Sequence, residues 1–160
     1  MASSDAAHLI ITSLGLEPLP REGGFFRQTW RSDGGSAILF LMTPDGFSAL
    51  HRIAQTELWH FHGGDAVEHV QLERLTGRVR VTRLGGNVLG GEVPQVVVPA
   101  GEWQGARLTP VAGKGAGLGY ALVGCTVTPA WDEHGFELGS QQLLRDDFPA
   151  AAEWIRVLTR

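Results

Sequence analysis

Cysteine occurs once in 160 residues, at Cys125, which excludes an internal disulfide and any zinc site built on cysteine pairs. Lysine also occurs once, at Lys114, and the arginines form no run, so they read as dispersed surface charge. With 13 basic and 17 acidic side chains the formal charge is −4. The chain therefore lacks the basic field that holds nucleic acid or anionic lipid. Apolar runs such as 37–42 fall far short of the roughly 20 residues that a membrane helix needs. The opening Met1-Ala2-Ser3-Ser4-Asp5 lacks the basic and apolar regions of a signal peptide, and a cytoplasmic location is expected.

Glycine, by contrast, is plentiful: 22 residues, about twice the usual share. With 43% hydrophobic and 19% charged residues, the chain can bury one real core, and no linker divides it. Glycine excess favours short strands joined by tight turns. Strand-like runs at 26–32, 36–42, 47–53, 57–62, 66–72, 78–84, 95–98, 102–108 and 119–128 alternate with turn signals such as Asp33-Gly34-Gly35 and Pro44-Asp45-Gly46. Such spacing predicts an antiparallel sandwich or barrel. The ends predict helices. Residues 1–15 carry Ala6, Leu9, Ile10 and Leu14 at helical spacing, with Ser3 or Ser4 as cap and Gly15 as stop. Residues 140–160 carry Trp154, Ile155 and Leu158 as an apolar stripe, with Asp146 or Asp147 as cap and Pro149 in the first turn. The expected whole is one mainly β domain over 1–160, with a sandwich core at 25–128. Segment 111–119 lacks periodicity and reads as a mobile loop.

Two segments share a recognisable grammar. His51-Arg52-Ile53-Ala54-Gln55-Thr56-Glu57 is followed after six residues by Gly64, and Pro99-Ala100-Gly101 makes a tight turn between two β-like runs. This is similar to the paired motifs of the cupin superfamily, Gly-x5-His-x-His-x(3,4)-Glu-x6-Gly and Gly-x5-Pro-x-Gly-x2-His-x3-Asn. His51, Glu57 and Gly64 match the first, and Pro99 and Gly101 match the second. Gly46 stands one position out of register with the leading glycine. Ile53 occupies the second histidine's place, Gln104 that of the third, and Leu108 that of the asparagine. The family's metal sites use three histidines and a glutamate, so half of that ligand set is lost here.

A narrower resemblance covers nearly the whole chain. Its blocks are Pro20-Arg21-Glu22-Gly23-Gly24-Phe25-Phe26-Arg27-Gln28-Thr29, Leu50-His51-Arg52, Glu57 to Asp65, Pro94 to Trp103, Gly124 to Pro129 and Gly135-Phe136-Glu137-Leu138. Together they look like the cupin subgroup known as domain of unknown function 985. The resemblance implies a double-stranded β-helix, or jelly-roll sandwich, with a cavity of small-molecule size and pairing as a homodimer. Pairing also covers the strand edges that a sandwich exposes.

Strand parity offers a wall for that cavity. Side chains alternate faces, so Glu57, Trp59 and Phe61 share one face and His60 and His62 the other, which makes a joint metal site of the histidines with Glu57 improbable. His51 pairs with Ile53, and Glu102 with Gln104 and Ala106. If Glu57 points inward, the wall holds His51, Ile53, Glu57, Trp59, Phe61, Glu102 and Gln104, a mixture suited to a small polar metabolite. His51 is then the base, since imidazole titrates near neutral pH, and Glu57 orients it or serves as its acid partner. Gln104 either donates to a substrate oxygen or orients His51. Trp59 and Phe61 form the apolar wall or simply fill the core. The block around Glu22 belongs to the family resemblance, which implies that Glu22 and Arg27 close the cavity mouth. The leading expectation is metal-independent proton transfer of the isomerase or epimerase kind on a sugar-like or cyclic compound, with no cofactor required. Two alternatives stand beside it: a metal-dependent oxygenase using His51, Glu57 and Gln104, and a non-catalytic binding or sensor module. Structural readings compete at each position. His51 can be a core histidine bonded to Glu57 or backbone, Glu57 can be tied to Arg52 or Arg107, and Cys125 can be a small buried hydrophobe.

Overall fold

A computed structural model describes residues 3–113 and 116–160. Helix α1, Ser3–Leu14, leads into the short strand β1, Glu17–Pro18. Nine longer strands follow. They are β2 (Phe25–Ser32), β3 (Gly35–Met42), β4 (Ser48–Arg52), β5 (Thr56–Gly64), β6 (Val67–Leu72), β7 (Val79–Leu84), β8 (Gln95–Val98), β9 (Trp103–Leu108) and β10 (Ala121–Thr128). The two-residue β11, Glu137–Leu138, precedes α2, Gln141–Asp147, and α3, Ala152–Leu158. Each predicted long strand is present, with ends moved by two residues or fewer.

The strands form two antiparallel sheets, in the orders β1-β2-β3-β10-β5-β8 and β11-β4-β9-β6-β7. This is a mainly β, double-stranded β-helix. Turn glycines set where some of the strands end. Gly64 stops β5 at φ 98°, and a Cβ there would stand 2.3 Å from the Tyr120 carbonyl oxygen, so no other residue fits. Gly101 turns the chain at φ 79° between β8 and β9.

Alternation along the strands sends side chains to two separate cores. Between the sheets, Phe40, Trp59, Val67, Val98 and Val123 are buried together. On the outer face of the five-stranded sheet, Leu50, Val70 and Trp103 pack under Leu144, Ile155 and Leu158 of the terminal helices. Covering that face lets β4, β6 and β9 bury both surfaces, so the sheet carries an apolar residue where water would otherwise demand a polar one.

The C-terminal caps differ from expectation. Ser140 caps α2 by accepting from the Leu143 amide at 3.3 Å, while Asp147 ends that helix and Asp146 lies in its last turn. Pro149 opens a 3-10 turn, 149–151, that leads into α3 without a side-chain cap. In segment 111–119, residues 114 and 115 lie outside the described residues. Beyond them the Leu118 and Gly119 amides both donate to the Asp65 carboxylate. Among the described residues no helix is long and apolar enough to cross a membrane.

Candidate functional site

One end of the space between the sheets stays open as a cavity of about 700 Å³. Its floor gathers three ionisable side chains from three elements. His51 comes from β4 in the five-stranded sheet, Glu57 from β5 in the facing sheet, and Glu22 from the turn before β2. All three are at least mostly buried: His51 is 3% exposed, Glu57 7% and the Glu22 side chain 14%. Ile38, Phe40, Ile53 and Val127 supply apolar wall.

The orientation of His51 follows from its partners. Nδ1 lies 2.7 Å from the Ala49 carbonyl oxygen, which can only accept, so Nδ1 carries the proton. Nε2 of the neutral ring therefore presents a lone pair, 3.8 Å from Glu22 Oε2. Phe136 stacks on the imidazole, with ring centroids 5.5 Å apart and planes 22° from parallel. The Arg21 guanidinium lies over the Phe136 ring, 4.6 Å from its centroid.

Glu22 is held by a strained turn. Arg21 adopts φ 68°, a left-handed conformation unusual for a residue with a Cβ, and Gly23 and Gly24 follow at φ 104° and 70°. Ser48 Oγ donates to Glu22 Oε1 at 2.7 Å, and the Ala49 amide donates to the Glu22 carbonyl at 2.9 Å. β4 thus fixes both His51 and the carboxylate that faces it.

Glu57 is held from behind by Gln104, whose amide can point only one way. The Trp59 indole N–H is a donor and nothing else, and it donates to Gln104 Oε1 at 2.8 Å. The Gln104 NH2 must then face Glu57, to which it donates. Because Glu57 and Trp59 are two apart on β5, one amide on the opposite sheet bridges both. His69 Nε2 also lies 3.4 Å from Gln104 Oε1, and burial lowers the His69 pKa to about 4, so this ring is neutral at pH 7.

Burial raises the Glu57 carboxyl from 4.5 to about 7. The Glu22 charge pushes the same way, while His51 and the bonds from Gln104 and Cys125 oppose it. A carboxyl half-protonated at neutral pH thus stands across the cavity floor from an imidazole lone pair. Cys125, on β10, lines the floor beside Glu57, and burial pushes its thiol well above the usual range, so it stays a neutral thiol.

The cavity wall differs from the one parity drew. His51, Ile53, Glu57 and Glu22 line it, Glu22 beside His51 on the floor rather than at the mouth because Ser48 holds its carboxylate inward; Trp59, Phe61, Gln104 and Glu102 do not. Trp59 is 1% exposed in the core between the sheets, with Phe61 packed against that core. Both share the Glu57 face as expected, but they lie farther along β5 than the cavity reaches. Gln104 is buried behind Glu57 and does not line the cavity; it is the cross-strand partner of His51, but its amide bonds to Trp59 and Glu57 rather than to that imidazole. Glu102 precedes β9, so parity does not govern it; it accepts from the Arg74 amide at 2.7 Å on the surface. Arg52 and Arg107 pair with Glu137 and Glu68 rather than with Glu57. The residues that sequence reasoning missed are Phe136, Arg21 and Ser48, together with the place of Cys125 on the floor. Phe136 and Arg21 stood in the blocks that carried the resemblance, which was the available signal.

The donor set does not fit a metal. Gln104 turns its oxygen to Trp59 and its NH2 towards Glu57, and Ile53 offers no donor, so of the four ligand positions only His51 Nε2 and Glu57 could ligate. Among the described residues no three His, Cys, Asp or Glu side chains gather as a metal site.

Comparison with other proteins agrees with this architecture. A hypothetical protein from Leishmania major is 29% identical, with a TM-score of 0.87 over 96% of this chain and 98% of its own. A protein from Shewanella oneidensis is 31% identical, with a TM-score of 0.85 over 96% and 97%. Streptomyces Pac13, described as a nucleoside dehydratase, shares the fold alone, at 9% identity and a TM-score of 0.52 over 78% of this chain and 84% of its own. No curated protein matches the sequence. The family model for the cupin superfamily (DUF985) matches residues 8–139, and the chain belongs to that family.

Proposed function

We propose that this protein binds a small polar metabolite in the cavity and moves a proton on it without a metal, as an isomerase or epimerase of a sugar-like or cyclic compound. The observation that carries this reading is the convergence of Glu22, His51 and Glu57 on one buried floor, with Glu57 raised to about 7. Acid–base catalysis needs one group ready to accept and one ready to donate at the same pH. His51 Nε2 is the acceptor. It takes a proton from a carbon beside a carbonyl, and the C–H electron pair moves into the carbonyl as an enol forms. Protonated Glu57 supplies the proton to the carbonyl oxygen. Reversal with delivery to the other face, or to the neighbouring carbon, gives the epimer or isomer. Glu22 stabilises the imidazolium formed on the way.

The test begins with a thermal-shift screen of sugars, sugar phosphates and hydroxy acids, followed by solvent deuterium exchange into each compound that binds. Exchange into a carbon-bound position, lost in His51→Ala with binding retained, is the expected result. Binding without exchange would leave a sensor or carrier module instead. One equivalent of transition metal per chain, lost in the same variant, would point to a metalloenzyme. The working form is proposed to be a homodimer, since β8 ends its sheet with Val97 half-exposed, and a monomer by light scattering would contradict that.

A further inference from the structure

The block that carries Glu22 also carries a charge that chemistry at the floor leaves unused. Arg27, on β2, lines the same cavity at its mouth. The other arginine of the cavity lining is engaged, Arg21 with Glu133 at 4.0 Å and on the Phe136 ring, as are Arg52 with Glu137, Arg83 with Glu92 and Arg107 with Glu68 elsewhere. Among the described residues Arg27 makes no ion pair, although Glu17 lines the same mouth. Its Nη1 lies 3.9 Å from where a Cβ on Gly15 would stand, so the guanidinium rests against the end of α1. The partial negative charge of a helix C-terminus favours a cation there. Gln28, the next residue, lines the cavity as well and brings amide donors.

The other end of the cavity has the opposite character. Glu22 and Glu57 repel an anion from the floor, and the wall between them and the mouth is largely apolar. A ligand with one charged end is therefore accepted in one direction only. We propose that Arg27 binds an anionic group of the ligand, a carboxylate or a phosphate, and so points the uncharged hydroxyl or carbonyl end at Glu22, His51 and Glu57. The planar guanidinium fork matches either anion with two parallel N–H bonds. This rests on the cavity being the ligand site, but not on proton transfer at its floor. The substrate class is then an acid or phosphate ester with a hydroxyl or carbonyl at its far end, not a neutral sugar.

Titration of the whole chain with inorganic phosphate and, separately, acetate tests the subsite, at ionic strength held constant with sodium chloride. The readouts are calorimetry and the chemical shifts of the Arg27 side chain. Saturable binding is expected for at least one anion. Arg27→Gln weakens it by tenfold or more, and Arg27→Lys by less, because the charge remains and the fork is lost. Circular dichroism confirms that each variant is folded. Phosphate without acetate assigns a phosphate ester, and the converse a carboxylic acid. Wild-type protein that binds the anion but exchanges no deuterium into any bound compound would sink the proton-transfer reading alone. No saturable binding of either anion, or equal binding by wild type and Arg27→Gln, would overturn the subsite.

Discussion

Replacing Glu57 by glutamine keeps the shape of the side chain and removes its titration. In the unfolded chain this carboxyl has a pKa of 4.5, and in the fold burial holds it at about 7. Below pH 4.5 the group is protonated in both states and the fold carries no penalty. As pH rises through 4.5 towards 7 the unfolded state releases its proton first, so stability falls, and above 7 the loss is complete. At 1.36 kcal/mol for each pH unit between the two values, the loss amounts to roughly 3 kcal/mol. Glu57→Gln does not suffer it, and its carbonyl still accepts from Gln104. For a domain of this size each kcal/mol moves Tm by about 2–4 °C. The variant's Tm, measured against wild type from pH 4.5 to 8.5, should gain about 6–12 °C relative to it. A difference that stays flat with pH, or grows as pH falls, would refute the claim that burial dominates at Glu57.

Gln104→Leu strands two polar groups at once, the Trp59 indole N–H and a Glu57 oxygen. It should cost about 2–4 kcal/mol in denaturant unfolding and move the Glu57 titration further upward in the same pH series. Cys125 should resist a water-soluble thiol reagent in the native protein even at pH 9, since it is 3% exposed and its thiol is pushed up by burial, and should react at once on unfolding. Rapid native labelling would contradict that placement.

Much of the fold was legible because its signals are local. Turn glycines and runs of strand-forming residues mark most of the long strands, and Gly64 and Gly101 adopt positive φ at their motif positions. The pairing of His51 and Glu57 in one cavity was legible from the cupin-like motif that both residues match; a strand's parity then fixes which neighbours share their faces. Parity does not say how far along that face the open space extends. Trp59 and Phe61 share a face with Glu57 yet fill core, because the cavity lies only at the end of the sandwich beside β1, β2 and β11. Glu102 shows the second limit: one residue before β9 begins, alternation no longer applies. The third is sequence distance. Phe136 stacking on His51, and the single orientation of Gln104 imposed by Trp59, arise from contacts between segments 45 or more residues apart, which no local pattern encodes.

The central claim is that His51 keeps its Nδ1 proton on the Ala49 carbonyl and offers Nε2 as a base between two carboxylates. Nitrogen-15 NMR of the imidazole reads this directly on the intact chain. In the neutral ring the account predicts a protonated Nδ1 and an unprotonated Nε2. A neutral ring with the proton on Nε2 would leave no lone pair facing the cavity and would contradict the account.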